Sequence, residues 1–140
     1  MPPEEKARLI VSLMYDNDPF SQWLGIERLD VGPGHCVLRM QVRKDMLNGF
    51  RIAHGGITYS LADSALAFAS NSRGKQAVSV ETSISHTLPL REGDTLTATA
   101  TEDHLSQRIG LYRVDITNQD GQLVALFKGV VYRKSTEWEV

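Results

Sequence analysis

An aspartate lies near the middle of an apolar stretch rich in alanine and leucine. Asp63, in the run SLADSALAF, has no lysine or arginine within four positions that could neutralise it. An acid on a helix face is most often simply solvated. A partly desolvated carboxylate, in contrast, keeps enough basicity to act on water or on a carbonyl group. The pattern alone leaves both interpretations open.

The tripeptide HGG, residues 54–56, immediately precedes the same stretch. Two glycines let a ligand approach the backbone, and the first N–H groups of a helix are unsatisfied donors. Such a helix N-terminus suits a carbonyl oxygen that becomes an oxyanion. Alternatively, Gly55 and Gly56 only form the turn into the helix. HGG also occurs in the oxyanion loop of lipases, but no G-x-S-x-G elbow accompanies it, which excludes that class.

Asp63 follows His54 by nine residues, which is about 13 Å along an unbroken helix at 1.5 Å per residue. Two groups so far apart can hardly act on one atom when both belong to the same chain. If both are catalytic, a homodimer must bring Asp63 of one subunit to the HGG of the other.

Other polar residues are weaker candidates. Asn48, in MLNGF, either shapes a turn with Gly49 or orients a carbonyl or a water. Arg91 and Arg108 lie by turns, where they could hold phosphates, although mobile solvated charges are the more common case. His86 falls on a predicted core-facing stripe, where we expect a structural role. No histidine pair has metal-site spacing and no phosphate-binding glycine motif is present, so we expect neither a metal nor a cofactor.

Periodicity predicts the elements that position these residues. Helices are predicted over 3–16 and roughly 55–72, and strands over 35–42, 77–88, 94–105, 108–118 and 122–134. The turns between the last four strands are short and favour antiparallel neighbours, so the fold class is α+β. The tail STEWEV has no clear structure. The apolar face of the long helix spans about half of its circumference and comprises Ile57, Leu61, Ala62, Ala65, Leu66, Phe68 and Ala69.

Alternation along the strands predicts which side chains face the core. In strand 77–88 the even-numbered residues, from Val78 and Val80 to His86 and Leu88, are predicted to face the helix, and Ser79 is predicted to face away. In strand 35–42 the predicted core face consists of Cys36, Leu38, Met40 and Val42.

Composition narrows the class of protein. The 140 residues are 23% charged and 41% hydrophobic, which is typical of one soluble domain over residues 1–140. The net charge of −2 provides no bulk field for nucleic acid or an anionic membrane. Cys36 is the only cysteine, which excludes an intrachain disulfide. With no signal peptide and no apolar run of membrane-spanning length, we expect a cytoplasmic protein.

Three runs together resemble the hotdog-fold acyl-CoA thioesterases, and most of all the PaaI type, the thioesterases of phenylacetate degradation. The runs are LNGFRIAHGGITYSLADSALAFASNSRG, AVSVETSISHTLPLREGDTLTATA and GLYRVDITNQDGQLVALFKGVVYR. The resemblance extends from YDNDPFSQWLGI to about Arg133, a core of about residues 20–134. Its specific part is the combination N-G-x(4)-H-G-G-x(6)-D.

The resemblance implies a long central helix wrapped by a curved antiparallel sheet of five or six strands, and dimers that pair into a homotetramer. It implies that Asp63 is the general base or nucleophile, acting across the dimer interface, and that the Gly55 N–H polarises the thioester carbonyl. His54 and Asn48 would position the thioester or the attacking water. Ser79 matches a serine that assists this water in some relatives, whereas others have alanine. The remaining substrate-binding candidates are Gly56, Arg91 and Arg108.

The sequence is compatible with several functions. Hydrolysis of an aryl or arylacetyl thioester is favoured by the resemblance alone, and medium-chain, hydroxybenzoyl or naphthoyl groups are alternatives. A non-catalytic acyl-CoA-binding module is the alternative from another class, but Asp63, His54, Gly55 and Asn48 are all intact. Enoyl-CoA hydratase chemistry requires an aspartate and a histidine close together in one loop, which the nine-residue spacing disfavours.

Overall fold

A six-stranded antiparallel sheet and one long helix make up most of the protein in a computed structural model that describes all 140 residues. The helices are α1 (Pro3–Asp16), α2 (Pro19–Leu24) and α3 (Gly55–Asn71), with a short 3-10 turn at Lys44–Met46. The strands are β1 (Glu27–Gly32), β2 (His35–Gln41), β3 (Lys75–His86), β4 (Thr95–Leu105), β5 (Ile109–Thr117) and β6 (Leu123–Glu137). The α+β class is therefore confirmed.

The long helix packs against one face of the sheet. The strand order is β1-β2-β4-β5-β6-β3, every pair is antiparallel, and α3 contacts all six strands. The predicted apolar face of α3 is buried apart from Ile57, which is half-buried, and the predicted core face of β2 is buried as well. Gly129 on β6 permits a close approach, because a Cβ there would lie 2.6 Å from Cδ2 of Leu66. This is the helix-in-sheet arrangement expected of the hotdog fold.

The sequence patterns did not predict two elements, α2 and β1. Asp18 and Pro19 end the first helix as predicted, but they also begin α2, since the Asp18 carboxylate accepts the N–H of Ser21 at 2.9 Å. Strand β1 is exposed over most of its length at the edge of the sheet, so its residues do not alternate. The tail STEWEV, in which the sequence indicated no clear structure, begins as part of a strand. Strand β6 continues to Glu137, and Nε1 of Trp138 donates to Oδ1 of Asn71 at 2.9 Å.

A β-bulge in β3 changes which residues face the helix. Ser79 lies opposite Val131 and Glu81 lies opposite Val130, so the register shifts between them. Directly opposite residues of an antiparallel pair share a face, and Val131 is buried in the same core cluster as the apolar face of α3. Ser79 therefore faces the helix side and Val78 faces away, which corrects the prediction for this part of the strand. Beyond the bulge, Ile84 and His86 face the helix side as predicted.

Strand β3 is also an unpaired edge of the sheet. It pairs only with β6, and its other side has no partner within the chain. Val78 is 46% exposed and Val80 is 61% exposed. A long edge strand that carries exposed valines can pair with a strand of another chain.

Candidate active site

The HGG tripeptide begins α3 as predicted. His54 is the N-cap residue, and its Nδ1 accepts the N–H of Gly56 at 3.2 Å. The N–H of Gly55, the first residue of the helix, has no acceptor within the helix, and no side chain accepts it. At this helix N-terminus, which carries a partial positive charge, the Gly55 N–H is thus a free donor. Such a donor can stabilise the oxygen of a carbonyl on which negative charge develops.

Asn48 shapes the turn that leads to this helix. Its Oδ1 accepts the N–H groups of Phe50, at 2.8 Å, and Ile52, at 3.4 Å. The turn interpretation of Asn48 is therefore correct, but the amide nitrogen Nδ2 makes no hydrogen bond within the chain. This nitrogen remains available as a donor to another group. Asn48 and Gly55 line the same cleft, which has a volume of about 320 Å³.

Asp63 lies on the uncovered face of α3, two turns beyond Gly55. Its carboxylate is half-buried, and no hydrogen-bond donor or cation of the chain contacts it. Burial, and then the negative charge of Asp18, raise the pKa of Asp63 above the usual range of an aspartate. A carboxylate of this kind is a better proton acceptor than a solvated one.

Within one chain, the predicted site residues line three separate clefts. Asn48 and Gly55 line the first, and His54 and Gly56 line a second of about 410 Å³. Asp63 and Ser79 line a third of about 270 Å³, because the bulge turns Ser79 towards the helix side. Gly55 and Asp63 are eight residues apart, about 12 Å along the helix axis at 1.5 Å per residue. Within one chain, these two groups cannot contact the same atom.

The two arginine candidates lie at opposite ends of α3. Arg91 is exposed in a turn that follows Leu90, whose carbonyl accepts the N–H of Ala53 just before the helix begins. Arg108 donates from Nη1 to the carbonyl of Arg133, which lies opposite Ala77 shortly after the helix ends. Within one chain they lie too far apart to hold the same phosphate, and neither lines a cleft with Asp63 or Gly55.

Sequence reasoning missed two residues of this region. His86 is exposed rather than buried, and it lines the cleft of Asn48 and Gly55. A Cβ on Gly55 would lie 3.3 Å from Nε2 of His86, so this imidazole is next to the helix start. Asp18 is the second, because its charge acts on Asp63. No local pattern connects either residue to the site, because both contacts arise from chain segments that are distant in sequence.

The structure contains no group of three or more histidine, cysteine, aspartate or glutamate side chains that could hold a metal ion. None of its helices has the length and apolar character required to span a membrane.

Comparison with known proteins identifies the family. The family model of the thioesterase superfamily matches residues 50–125, which include the HGG tripeptide and Asp63. The chain belongs to this superfamily. Because its members hydrolyse thioesters, the expectation that the protein is an enzyme of this class is confirmed.

Individual relatives support the same assignment. Acyl-coenzyme A thioesterase PaaI of Escherichia coli is 43% identical over 120 residues, or 86% of each chain. The structure of E. coli PaaI, from the phenylacetic acid degradation operon, matches with a TM-score of 0.95 and 40% identity over 97% of this chain and 99% of that one. The predicted hotdog fold and the resemblance to PaaI-type thioesterases are therefore confirmed.

Two further solved structures are similar. A mutant of the phenylacetic acid degradation protein PaaI from Thermus thermophilus is 44% identical, with a TM-score of 0.81 over 84% of this chain and 100% of that one. A Streptococcus mutans protein bound to acetyl-CoA is 26% identical, with a TM-score of 0.78 over 81% of this chain and 91% of that one.

Proposed function

We propose that the protein is an acyl-CoA thioesterase that hydrolyses aryl or arylacetyl thioesters, such as phenylacetyl-CoA or its hydroxylated forms, to the free acid and CoA. Acyl-CoA as the substrate is supported by a relative that is an acyl-CoA thioesterase and by a solved structure with bound acetyl-CoA. The aryl acyl group is supported by two solved structures whose names refer to phenylacetic acid degradation. The observation that carries the proposal is the uncompensated carboxylate of Asp63, on the same helix as the free N–H of Gly55.

The helix start binds the carbonyl oxygen of the thioester. The N–H of Gly55 donates to this oxygen, and the helix dipole stabilises the negative charge that develops on it. His54 keeps the Gly56 N–H occupied, which leaves the Gly55 donor to the substrate. The free amide nitrogen of Asn48 lies in the same cleft and positions the thioester or the attacking water.

Asp63 supplies the base or the nucleophile. As a general base, it accepts a proton from water while the water oxygen bonds to the carbonyl carbon. The tetrahedral intermediate then collapses, the C–S bond breaks, and CoA leaves as a thiolate that takes up a proton. As a nucleophile, the Asp63 carboxylate attacks the carbonyl carbon, the C–S bond breaks, and CoA leaves as a thiolate that takes up a proton. Water then hydrolyses the resulting anhydride, which releases the free acid and regenerates Asp63. Either route suits a thioester, because its carbonyl is electrophilic and the thiolate leaves readily.

The proposal requires a homodimer, because Gly55 and Asp63 of one chain are about 12 Å apart along the helix. The exposed edge of β3, with Val78 and Val80, supports pairing between the β3 strands of two copies. Pairing there would also cover the cleft of Asp63 and Ser79, which Val78 helps to line. We propose in addition that two such dimers associate into a homotetramer.

Thiol release from a panel of CoA thioesters tests the function. The panel comprises phenylacetyl-, hydroxyphenylacetyl-, benzoyl-, hexanoyl- and palmitoyl-CoA, each assayed with wild type, Asp63→Asn and Asp120→Asn. Asp120 is exposed in the turn before β6, so its variant controls for loss of one negative charge. We expect aryl thioesters to turn over fastest and only Asp63→Asn to abolish turnover. Tight binding of the panel without turnover would instead indicate an acyl-CoA-binding module.

A further inference from the structure

Two aromatic side chains on α2 are stacked and exposed. The rings of Phe20 and Trp23 are 6.0 Å apart between centroids, with 13° between their planes. Phe20 is 51% exposed and Trp23 is 47% exposed. Aromatic surface of this size that remains in contact with water commonly marks a binding site.

This aromatic pair lines the largest of the clefts described above, the one of about 410 Å³. The cleft reaches the start of α3, because His54 and Gly56 line it together with the pair. Its remaining lining residues are Asp45, Met46, Leu47, Ile57 and Ser60. The aromatic pair and the proposed carbonyl-binding donor of Gly55 therefore lie at adjoining parts of the molecule.

The pair is held in a defined position. The guanidinium of Arg43 lies 5.0 Å from the centroid of the Trp23 ring and donates to the carbonyls of Trp23, at 2.8 Å, and Leu24, at 3.1 Å. The hydroxyl of Ser21, between the two aromatic residues, is hydrogen-bonded to the hydroxyl of Ser64 on α3 at 2.8 Å. Helix α2 is thus anchored to α3, which fixes the rings relative to the helix start.

We propose that Phe20 and Trp23 determine acyl specificity by stacking against the aryl ring of the substrate. This inference rests on the proposed thioesterase function. In an arylacetyl thioester, one methylene separates the ring from the carbonyl, so the ring lies close to the group that binds the carbonyl oxygen. The two residues that flank Gly55 in the chain, His54 and Gly56, line the cleft of the aromatic pair.

The lining of the cleft argues for the acyl ring rather than for the adenine of CoA. The nucleotide end of CoA carries phosphates, and the cation beside the cleft, Arg43, already donates to the carbonyls of Trp23 and Leu24 and pairs with the Asp45 carboxylate at 3.4 Å. The adenine is also separated from the reacting sulfur by the whole pantetheine arm. Aryl rings stack on aromatic side chains with a preference that a flexible alkyl chain does not share.

Discrimination between thioesters is the first test. Trp23→Leu and Phe20→Leu keep an apolar side chain but remove a ring. Each should lower the ratio of kcat/KM for phenylacetyl-CoA to that for hexanoyl-CoA on the order of tenfold, mainly through KM. Tyr132→Leu is the matched control, since Tyr132 is 44% exposed on the opposite face of the sheet. It should leave the ratio unchanged.

Three outcomes would overturn the proposal. An unchanged ratio would show that the rings do not contact the acyl group. An equal loss of kcat/KM for phenylacetyl-, hexanoyl- and acetyl-CoA would show that the aromatic pair contacts the coenzyme, which all three substrates share. A change in oligomeric mass, measured by light scattering, with the ratio unaltered would make the pair a contact between subunits.

A binding measurement separates this proposal from the proposed function. The chain has two tryptophans, so Trp138→Phe leaves Trp23 as the only one. In this variant combined with Asp63→Asn, phenylacetyl-CoA should quench Trp23 emission and hexanoyl-CoA should not. Quenching without hydrolysis by the wild type would refute the proposed function and keep the stacking. Normal hydrolysis without quenching would refute the stacking alone.

Discussion

Gly56 donates its backbone N–H to Nδ1 of His54 at 3.2 Å. The side chain of the N-cap residue thereby satisfies the second donor of α3 and leaves the first, that of Gly55, without an acceptor. An accepting Nδ1 also requires that the neutral imidazole carry its proton on Nε2. The helix start therefore presents one backbone donor in a defined direction, next to an imidazole in a defined tautomer.

Gly55→Pro removes this donor without demanding a new backbone. Proline is well tolerated at the first position of a helix, and His54 already has the extended ψ of 135° that a residue before proline prefers. We expect kcat to fall by on the order of 10²–10³. Gly55→Ala is the control, because it keeps the N–H and adds a Cβ 3.3 Å from Nε2 of His86. Equal losses of kcat in both variants would mean that the added side-chain atoms, rather than the missing N–H donor, cause the effect.

Mixed dimers test whether Asp63 and Gly55 act across the subunit interface. Asp63→Asn and Gly55→Pro chains, purified as heterodimers through two affinity tags, combine one intact composite site with one doubly altered site. Their thiol release should greatly exceed that of either parent homodimer. If both groups acted within one chain, no site of the heterodimer would be intact, and its activity would match that of the parents.

Asp63→Asn should raise the melting temperature at neutral pH. The pKa of Asp63 is raised, so the folded state binds this proton more tightly than the unfolded state. The resulting stabilisation is complete below the unfolded pKa and is lost as the pH rises through the folded pKa, so the ionised carboxylate disfavours folding at neutral pH. In thermal melts from acidic to neutral pH, the melting temperature of Asp63→Asn minus that of the wild type should increase with pH. Asp120→Asn should show no such trend.

Asp18→Asn should move the acid limb of the kcat/KM profile to lower pH. The charge of Asp18 is, after burial, the second cause of the raised pKa of Asp63, and removing it lets Asp63 remain ionised in more acidic solution. Asparagine still caps α2, where the Asp18 carboxylate accepts from the N–H and Oγ of Ser21. Asp18→Ala, which also loses the cap, should cost about 1 kcal/mol of stability in addition. An unmoved acid limb in Asp18→Asn would mean that Asp63 does not control it.

Local patterns of the sequence determined most elements of the fold, with α2 and β1 as the exceptions. The apolar face of α3, its start at HGG, and the alternation along β2 depend on neighbours within a few residues, and all three agree with the structure. The spacing of His54 and Asp63 is also a local quantity, because His54 caps the rigid helix that carries Asp63. This spacing predicts that a homodimer must complete the site if both groups are catalytic.

Contacts between distant segments were decided only by the tertiary structure. The bulge in β3, which directs Ser79 towards the cleft of Asp63, depends on the register with β6. The stacking of Phe20 on Trp23, and the cleft they share with His54, depend on how α2 packs on α3. Register and packing result from the sum of many through-space contacts, so no short stretch of sequence contains the information that sets them.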